Sequence, residues 1–331
     1  MLRLEKRPNP SKTWAYLAPV LAVFATMIGG GIMFAALGKD PFEAIRTIFY
    51  DPLFSEFAWY YRPQLLVKGA PLIMIAIGLS MGFRAGIWNI GAEGQYIIGA
   101  ICGAGAALAV YPAQSPLIFP AMIFFGALGG FVWAMIPAIL KTRFGTNEIL
   151  VSLMLVYVAA QLLVWLVFGP WKDPAGYNFP QTKTFEAVTQ IPRLMSGSRL
   201  SVGLIVALIG VAAVWIFLFR TRAGFAQQVG GLAPAASRYA GFSSRKALWV
   251  ALLVSGGAAG LAGALEVAGP LGQLTPYVPA GYGFAAIIVA YVGRLHPVGM
   301  VFSAVLMSMF YIGGELAQSR MGLPKSITGV F

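Results

Sequence analysis

Asn89, Glu93 and Gln95 stand in the segment NIGAEGQ, between the apolar runs PLIMIAIGLSMGF and YIIGAICGAGAALAV, with Trp88 just ahead of them. Ionisable groups at membrane depth are expensive, roughly a few kcal/mol each on the mildest scale, and usually face a cavity. Gly86, Gly91 and Gly94 break the helical pattern here. Asn89 reads as an N-cap whose side-chain oxygen satisfies a free backbone N–H, with Glu93 in the first turn, where a helix dipole favours negative charge. Helices broken at such depth typically contact a substrate or ion. One reading therefore places Trp88, Asn89, Glu93 and Gln95 on or beside a solute path. The other makes the segment an inner-face turn next to Arg84, with Glu93 capping a helix in water.

Two further stretches have polar character. In RTRAGFAQQVGGLAPAASRYAGFSSRKA, Arg220 to Ala247, Pro234 suits the first turn of a short helix and Gly241 its end. Small residues with Tyr239 among basic neighbours fit either a helix that plugs into a partner's groove or an ordinary basic loop. In KTRFGTNEI, Asn147 reads as a helix N-cap with Glu148 in its first turn, the alternative being a path-lining role. No phosphate-binding G-x-x-x-x-G-K-[ST] loop occurs, GLPKS at Gly322 lacking its first glycine and spacing. His296 has no carboxylate or cysteine near it in sequence, so neither a metal site nor a histidine dyad is supported. An enzyme is not expected.

The elements that position these residues follow from composition. The chain has 331 residues, 59% of them hydrophobic and 10% charged, with a mean hydropathy of +0.78. A soluble domain carries about 25% charged residues because its surface must be wetted. The pattern is that of an integral membrane protein, read as one domain over residues 1–331. Apolar runs of about 20 residues, the length that crosses the hydrocarbon, fall at Trp14 to Leu37, Gln64 to Phe83, Trp88 to Val110, Leu117 to Leu140, Glu148 to Gly169, Leu200 to Phe219, Ala247 to Glu266 and Pro297 to Gln318. Gly281 to Val292 is too brief for a straight span and is expected as a half-helix or re-entrant piece. Small residues at four-residue spacing, Gly99/Gly103, Gly126/Gly130, Gly256/Gly260 and Ala259/Gly263, let helix backbones approach closely.

If the N-terminus is cytoplasmic, the inner side collects Arg84, Lys141, Arg143, Arg220, Arg222, Arg238, Arg245, Lys246 and Arg294, which is the positive-inside pattern. That accounts for the net charge of +12 without nucleic acid, since the basic residues form no stripe interleaved with aromatics. Residues 1–13 become a retained inner tail, 220–247 the longest inner loop, and 38–63 and 170–199 the outer segments. Cys102, the single cysteine, permits no intramolecular disulfide.

GIWNIGAEGQYIIGA, FGTNEILVSLMLVYVA, APAASRYAGFSSRKA, GYGFAAIIVAYVGRLHPVGMVFSAVL and GLPKSITGVF together resemble the permease subunits of bacterial ABC importers for simple sugars and nucleosides, a group related to branched-chain amino acid permeases. NIGAEGQ with GTNE after it is closer to the nucleoside branch than to the ribose-type branch. The resemblance implies an all-α polytopic bundle of about nine to ten spans, one of them short or broken, like the cobalamin-importer type. It also implies a second permease, identical or different, and a cytoplasmic ATPase that holds the ATP and magnesium, so that this chain carries no cofactor. An extracytoplasmic binding protein would deliver the solute at a bacterial inner membrane. The segment Gly231 to Gly241 falls at the family's coupling helix, making Pro234, Ala235, Ala236, Arg238, Tyr239 and Gly241 the expected ATPase contacts. Where that loop opens with an acidic residue in the family, this chain has Gly230, Gly231 and Leu232. One more apolar span is expected after SITGVF.

For a nucleoside, amides and aromatic faces are the expected lining, which selects Trp88, Asn89, Gln95 and Tyr157, with Glu93 beside them. A stand-alone secondary transporter or channel is the competing class; it would need buried carboxylates, for which Glu93, Glu266 and Glu315 are available. A scaffold subunit without a path is the third.

Overall fold

The structure, a computed structural model, describes residues 11–195 and 197–322. The first ten residues of the expected inner tail and the closing SITGVF lie outside them. Among the described residues the regular elements are helical, apart from one isolated antiparallel bridge, Arg193 to Ser201. In chain order they are α1 (Lys12–Ala36), α2 (Pro41–Ile45), a π-helical turn (Arg46–Tyr50), α3 (Asp51–Phe54), α4 (Ala58–Arg84), α5 (Ala92–Ala109), α6 (Ile118–Phe144) and α7 (Glu148–Phe168). A 3-10 turn (Ala187–Thr189), α8 (Gly203–Arg220), α9 (Arg222–Leu232), α10 (Pro234–Tyr239), α11 (Ser244–Glu266), its π-helical extension (Val267–Leu271), α12 (Tyr282–Val292) and α13 (Pro297–Met321) follow.

The chain divides into two compact units. The unit made of the residues up to Arg62 together with those from Met309 has an apolar core of Phe34, Ala44, Ile48, Ala317 and Met321. Its segment 38–63, expected only as an outer loop, is largely helical. Asp40 caps α2 by accepting the Phe42 amide at 2.8 Å, and Pro41 follows at the first helical position, a favoured start. Asp51 is buried and accepts from Arg320, while Arg62 donates through Nε and Nη2 to the Leu53 carbonyl at 2.9 and 2.7 Å.

The second unit, Pro63–Ser308, is built around α5, α6 and α11, which share its most extensive contacts. The glycines foreseen at four-residue spacing are what bring them together. A Cβ on Gly99 would lie 2.2 Å from the Gly260 Cα, and one on Gly130 would lie 2.3 Å from the Gly256 carbonyl oxygen. Where lipid supplies no hydrophobic drive between helices, such backbone-to-backbone packing carries the association. Outside the core, the long segment 170–199 is tied to the stretch after α11: Thr182, Phe185 and Ile191 donate to the carbonyls of Leu274, Gly272 and Ala268 at 3.0, 2.8 and 2.9 Å.

Six helices among the described residues are long and apolar enough to cross a membrane: α4, α6, α7, α8, α11 with its extension, and α13. Phe124, Phe125, Met154, Trp165 and Ile209 are exposed on them, a surface that water would not tolerate in such quantity and lipid accepts. Val20–Ala36 and α12 are shorter apolar helices, α12 falling where the brief run was foreseen. α5 is not among the six. Its Glu93, Gln95 and glycines dilute its apolar character, and α6, α7, α11 and α12 cover it instead of lipid.

Candidate functional site

The polar segment between α4 and α5 is held inside the second unit. α4 closes at Arg84, and Gly86 turns the chain at φ +72°, in the left-handed region that glycine adopts most easily. Asn89 and Gln95 are then buried, 2% and 1% exposed, and bond each other reciprocally. Asn89 Nδ2 donates to Gln95 Oε1 at 2.8 Å and to Ser255 Oγ of α11 at 2.7 Å. Asn89 Oδ1 accepts from the Gly91 amide at 3.1 Å and from Gln95 Nε2 at 3.3 Å. An amide side chain has two donors and one acceptor oxygen, and those of Asn89 are all engaged. The cluster locks the entry of α5 to the middle of α11. The N-cap position itself belongs to Gly91, two residues beyond the one expected; Asn89 acts as a turn-former that reaches the Gly91 N–H.

Glu93, 2% exposed, faces the other way. Its Oε1 accepts the Gly281 amide at 2.9 Å and its Oε2 accepts the Gly283 amide. One carboxylate thus satisfies two of the orphan N–H groups that every helix start presents, here those of α12. The helices meet so closely that a Cβ on Gly283 would lie 2.2 Å from the Glu93 nitrogen.

Trp88 takes no part in that cluster. It stacks on Tyr291 of α12 at 5.6 Å between ring centroids and an interplanar angle of 19°, and it also meets Phe83 at 5.1 Å. Tyr157 on α7 is 63% exposed and is likewise outside the amide cluster. Glu266 lines a cavity of about 20 Å³ with Met74, Leu204 and Pro270, room for a single water.

At the end of the unit marked by Arg84, basic residues gather. Arg84 Nε donates to the Leu295 carbonyl at 3.0 Å, its Nη1 donates to Gln228 Oε1 at 2.8 Å, and its guanidinium lies over the Phe219 ring at 5.2 Å. One side chain thereby joins the end of α4, the α8–α9 junction and the turn between α12 and α13. Beside it α9 closes on the same turn, for a Cβ on Gly231 would lie 2.1 Å from the Arg84 carbonyl oxygen. α10 begins at Pro234 and ends before Gly241 at φ +77°, the short helix expected there. Ser237 is its buried residue, whereas Ala235, Ala236, Arg238 and Tyr239 are exposed, Tyr239 to 96%. Asn147 caps α7 by accepting the Ile149 amide at 2.9 Å, and Glu148 pairs with Lys141 at 2.9 Å.

The family model described as branched-chain amino acid transport system / permease component matches residues 62–331. The chain belongs to this permease family. It is also similar to three curated proteins along nearly its whole length. The glucose ABC transporter permease protein TsgB13 of Haloferax volcanii is 33% identical over 99% of this chain and 88% of that protein. The guanosine ABC transporter permease protein NupP of Bacillus subtilis is 28% identical over 95% and 90%, and the nucleoside ABC transporter permease protein NupB of Lactococcus lactis subsp. cremoris 28% over 97% and 89%. No solved structure matches.

In this permease the residues singled out from sequence fall into separate groups. Asn89, Glu93 and Gln95 are joined by position but bond in two directions, Trp88 belongs to an aromatic stack, and the residues of 234–241 form their own exposed element. Ser255, Gln227 and Gln228 were not foreseen, and Arg84 was expected only as an inner-side basic residue beside the turn. Their partners lie 10 to 211 residues away in sequence, and no local spacing announces such pairs. The charge of Arg84 directly before a glycine turn is the one visible sign.

Proposed function

We propose that this permease is the membrane-spanning subunit of an ATP-binding cassette importer that translocates a nucleoside or simple sugar by alternating access. The observation that carries the coupling part of this reading is α10: a short helix with an almost fully exposed tyrosine and an exposed arginine, backed by α9, whose packing on the Arg84 turn ties it to the body of the unit. Exposed aromatic and arginine anchors are the residue types that dominate partner binding. Pro234, Ala235, Ala236, Arg238, Tyr239 and Gly241 form the contact with a cytoplasmic ATPase, which holds ATP and magnesium. A second permease and an extracytoplasmic binding protein complete the assembly. The chain sits in a bacterial inner membrane with its N-terminus cytoplasmic, as one permease domain of nine to ten spans in the manner of the cobalamin importers.

Coupling requires ATP and solute to favour different states, since a ligand with equal affinity for both shifts nothing. Arg84 offers the mechanical link, because motion of α9 and α10 reaches both the α4 turn and the α12–α13 turn through it. Trp88 and Tyr157 are the aromatic faces assigned to the solute path; Asn89, Gln95 and Glu93 support it by fixing α5 against α11 and α12.

The test is transport by the complete complex in liposomes. Exchanging Arg238 and Tyr239 together for alanine is expected to lower ATP-driven uptake at least about tenfold, equivalent to ~1.4 kcal/mol, while the ATPase goes on hydrolysing without stimulation by solute. Uptake by the purified chain alone, with no ATPase present, would overturn the reading.

A further inference from the structure

Phe42, Tyr50, Phe54, Phe57, Trp59 and Tyr60 all stand exposed in one short stretch of the first unit, Phe42 to 84% and Trp59 to 71%. Polar groups of the same stretch turn the other way. Thr47 and Asp51 are buried, and the Asp51 carboxylate accepts from Arg320 and lies 3.7 Å from Arg46 Nε. A segment folded in water would reverse that arrangement, and an exposed apolar patch beside buried polar groups marks a surface made for something other than water.

The backbone of this stretch is closed at both ends. α2, the π-helical turn and α3 follow one another without a gap from Pro41 to Phe54. At the start, the Asp40 carboxylate accepts the Phe42 and Glu43 amides at 2.8 and 3.4 Å. At the end, the Asp51 carbonyl accepts the Ser55 amide and hydroxyl at 3.3 and 2.7 Å, and the Leu53 carbonyl accepts two nitrogens of Arg62. Water would serve orphan groups at a helix end; where water is scarce, the protein must satisfy them itself.

The same stretch lies along α13, one of the helices long and apolar enough to cross a membrane. Phe49 meets Phe310 edge to face at 5.4 Å, a Cβ on Gly313 would lie 2.5 Å from the Ile48 carbonyl oxygen, and Ala44 and Ile48 share a core with Ala317 and Met321. From Phe310 to Met321 is roughly 16 Å of helix at about 1.5 Å per residue. The whole of α13, 25 residues, is roughly 37 Å long against about 30 Å of hydrocarbon. Even with all its excess length at this end, the contact reaches into the depth of the lipid.

We propose that residues 41–60 form a lipid-binding surface that lies in one leaflet, at the boundary between headgroups and acyl chains. The helical run from Pro41 to Phe54 is shorter than the roughly 20 residues a crossing takes. Aromatic rings with a polar tip favour that boundary. Glu43, Arg46 and Glu56 are exposed among the rings, which headgroups and their water accept and the hydrocarbon core does not. The stretch runs directly into α4, another helix of membrane-crossing length, whose first turn holds Trp59 and Tyr60. The segment expected as an aqueous outer loop is thus a fixed part of the lipid-facing surface and is closed to a soluble partner. This needs only that α13 crosses the bilayer, whatever the cargo and whatever drives it.

The test uses the full chain in nanodiscs, with Cys102→Ser removing the native thiol and Phe42→Cys, Phe54→Cys and Trp59→Cys introduced one at a time. Each new thiol is given a nitroxide, whose collisions with oxygen, enriched in hydrocarbon, are compared with those of a water-soluble nickel chelate. Tyr239→Cys, on the exposed face of α10, is the aqueous reference. At a depth of roughly 5–10 Å the oxygen-to-chelate ratio should be at least about threefold that of the reference at all three positions. A smaller ratio, as an aqueous loop would give, or exclusion of both reagents, as a second copy or another protein covering the face would give, overturns the proposal. A second measurement needs no label: the fluorescence lost in Trp59→Phe is that of Trp59. Lipid brominated just below the headgroup should quench it at least about twofold more than lipid brominated near the methyl end. Quenching by neither lipid, or no stronger by the first, has the same overturning force. Neither assay involves transport, so a failure here leaves the importer reading standing, and a failure of ATP-driven uptake leaves this surface standing.

Discussion

Gly99→Val is expected to prevent the second unit from assembling. The first atom added, Cβ, would lie 2.2 Å from both the Cα and the carbonyl oxygen of Gly260, and 2.5 Å from its carbonyl carbon. These are backbone atoms of α11, so no rotamer change relieves the clash; the two helices must separate. On the far side Gly260 packs equally tightly, since a Cβ there would lie 2.4 Å from the Gly126 carbonyl oxygen of α6. Parting α5 from α11 therefore opens the three-helix core. Overpacking in a core costs about 1–3 kcal/mol when side chains can adjust. Here the cost should reach or exceed the top of that range, a large share of the roughly 5–15 kcal/mol that holds a native fold. The measurement is the yield of monodisperse protein on size exclusion in detergent, with thermal unfolding of whatever survives. Gly29→Val, where a Cβ would meet nothing within 4 Å, is the control and should behave as the parent chain. Equal yields for the two variants would mean that α5 and α11 do not pack as described.

The same glycines mark where sequence reading succeeds. A run of apolar residues about as long as the hydrocarbon is thick announces a spanning helix whatever its neighbours are, which is why α6, α7, α8 and α11 could be placed in advance. Caps and breakers act within a few residues of themselves, so the Asn147 cap and the short helix between Pro234 and Gly241 were equally legible. α5 was harder. Its glycines foretold close approach, but whether its polar residues face a solute or each other depends on Ser255 and Gly281, and those bonds span 166 and 188 residues. The segment 38–63 was hidden for a different reason. Its helices are short and their burial comes from Ala317 and Met321 near the far end of the chain, so no local periodicity reveals them. Arg84 shows the same limit: its residue type suggests a membrane-edge anchor, whereas its junction role is set by the Leu295 carbonyl and Gln228.

Glu93→Gln is expected to cripple transport while leaving a folded protein. The carboxylate accepts two amides at the start of α12, one through each oxygen. A glutamine presents one oxygen and one NH2, so it can satisfy Gly281 or Gly283 but turns a donor toward the other. Hydrogen bonds to charged groups contribute about 1.5–3 kcal/mol, and a buried donor left unmatched costs about 1–3 kcal/mol. The loss falls on α12, whose start is then free to fray, while the α5, α6 and α11 packing is untouched. ATP-driven uptake should drop at least about tenfold, or ~1.4 kcal/mol, with thermal stability reduced by far less than in Gly99→Val. The pH profile separates this role from that of a proton carrier. If Glu93 only holds α12, the variant lowers uptake by the same factor at every pH, because the bond it removes takes no part in a protonation cycle. If Glu93 carried protons, the variant would abolish gradient-driven uptake and flatten the pH dependence of what remained. Full uptake in the variant would mean that the α12 start needs no staple, and Glu93 would then lose its assigned part in supporting the path.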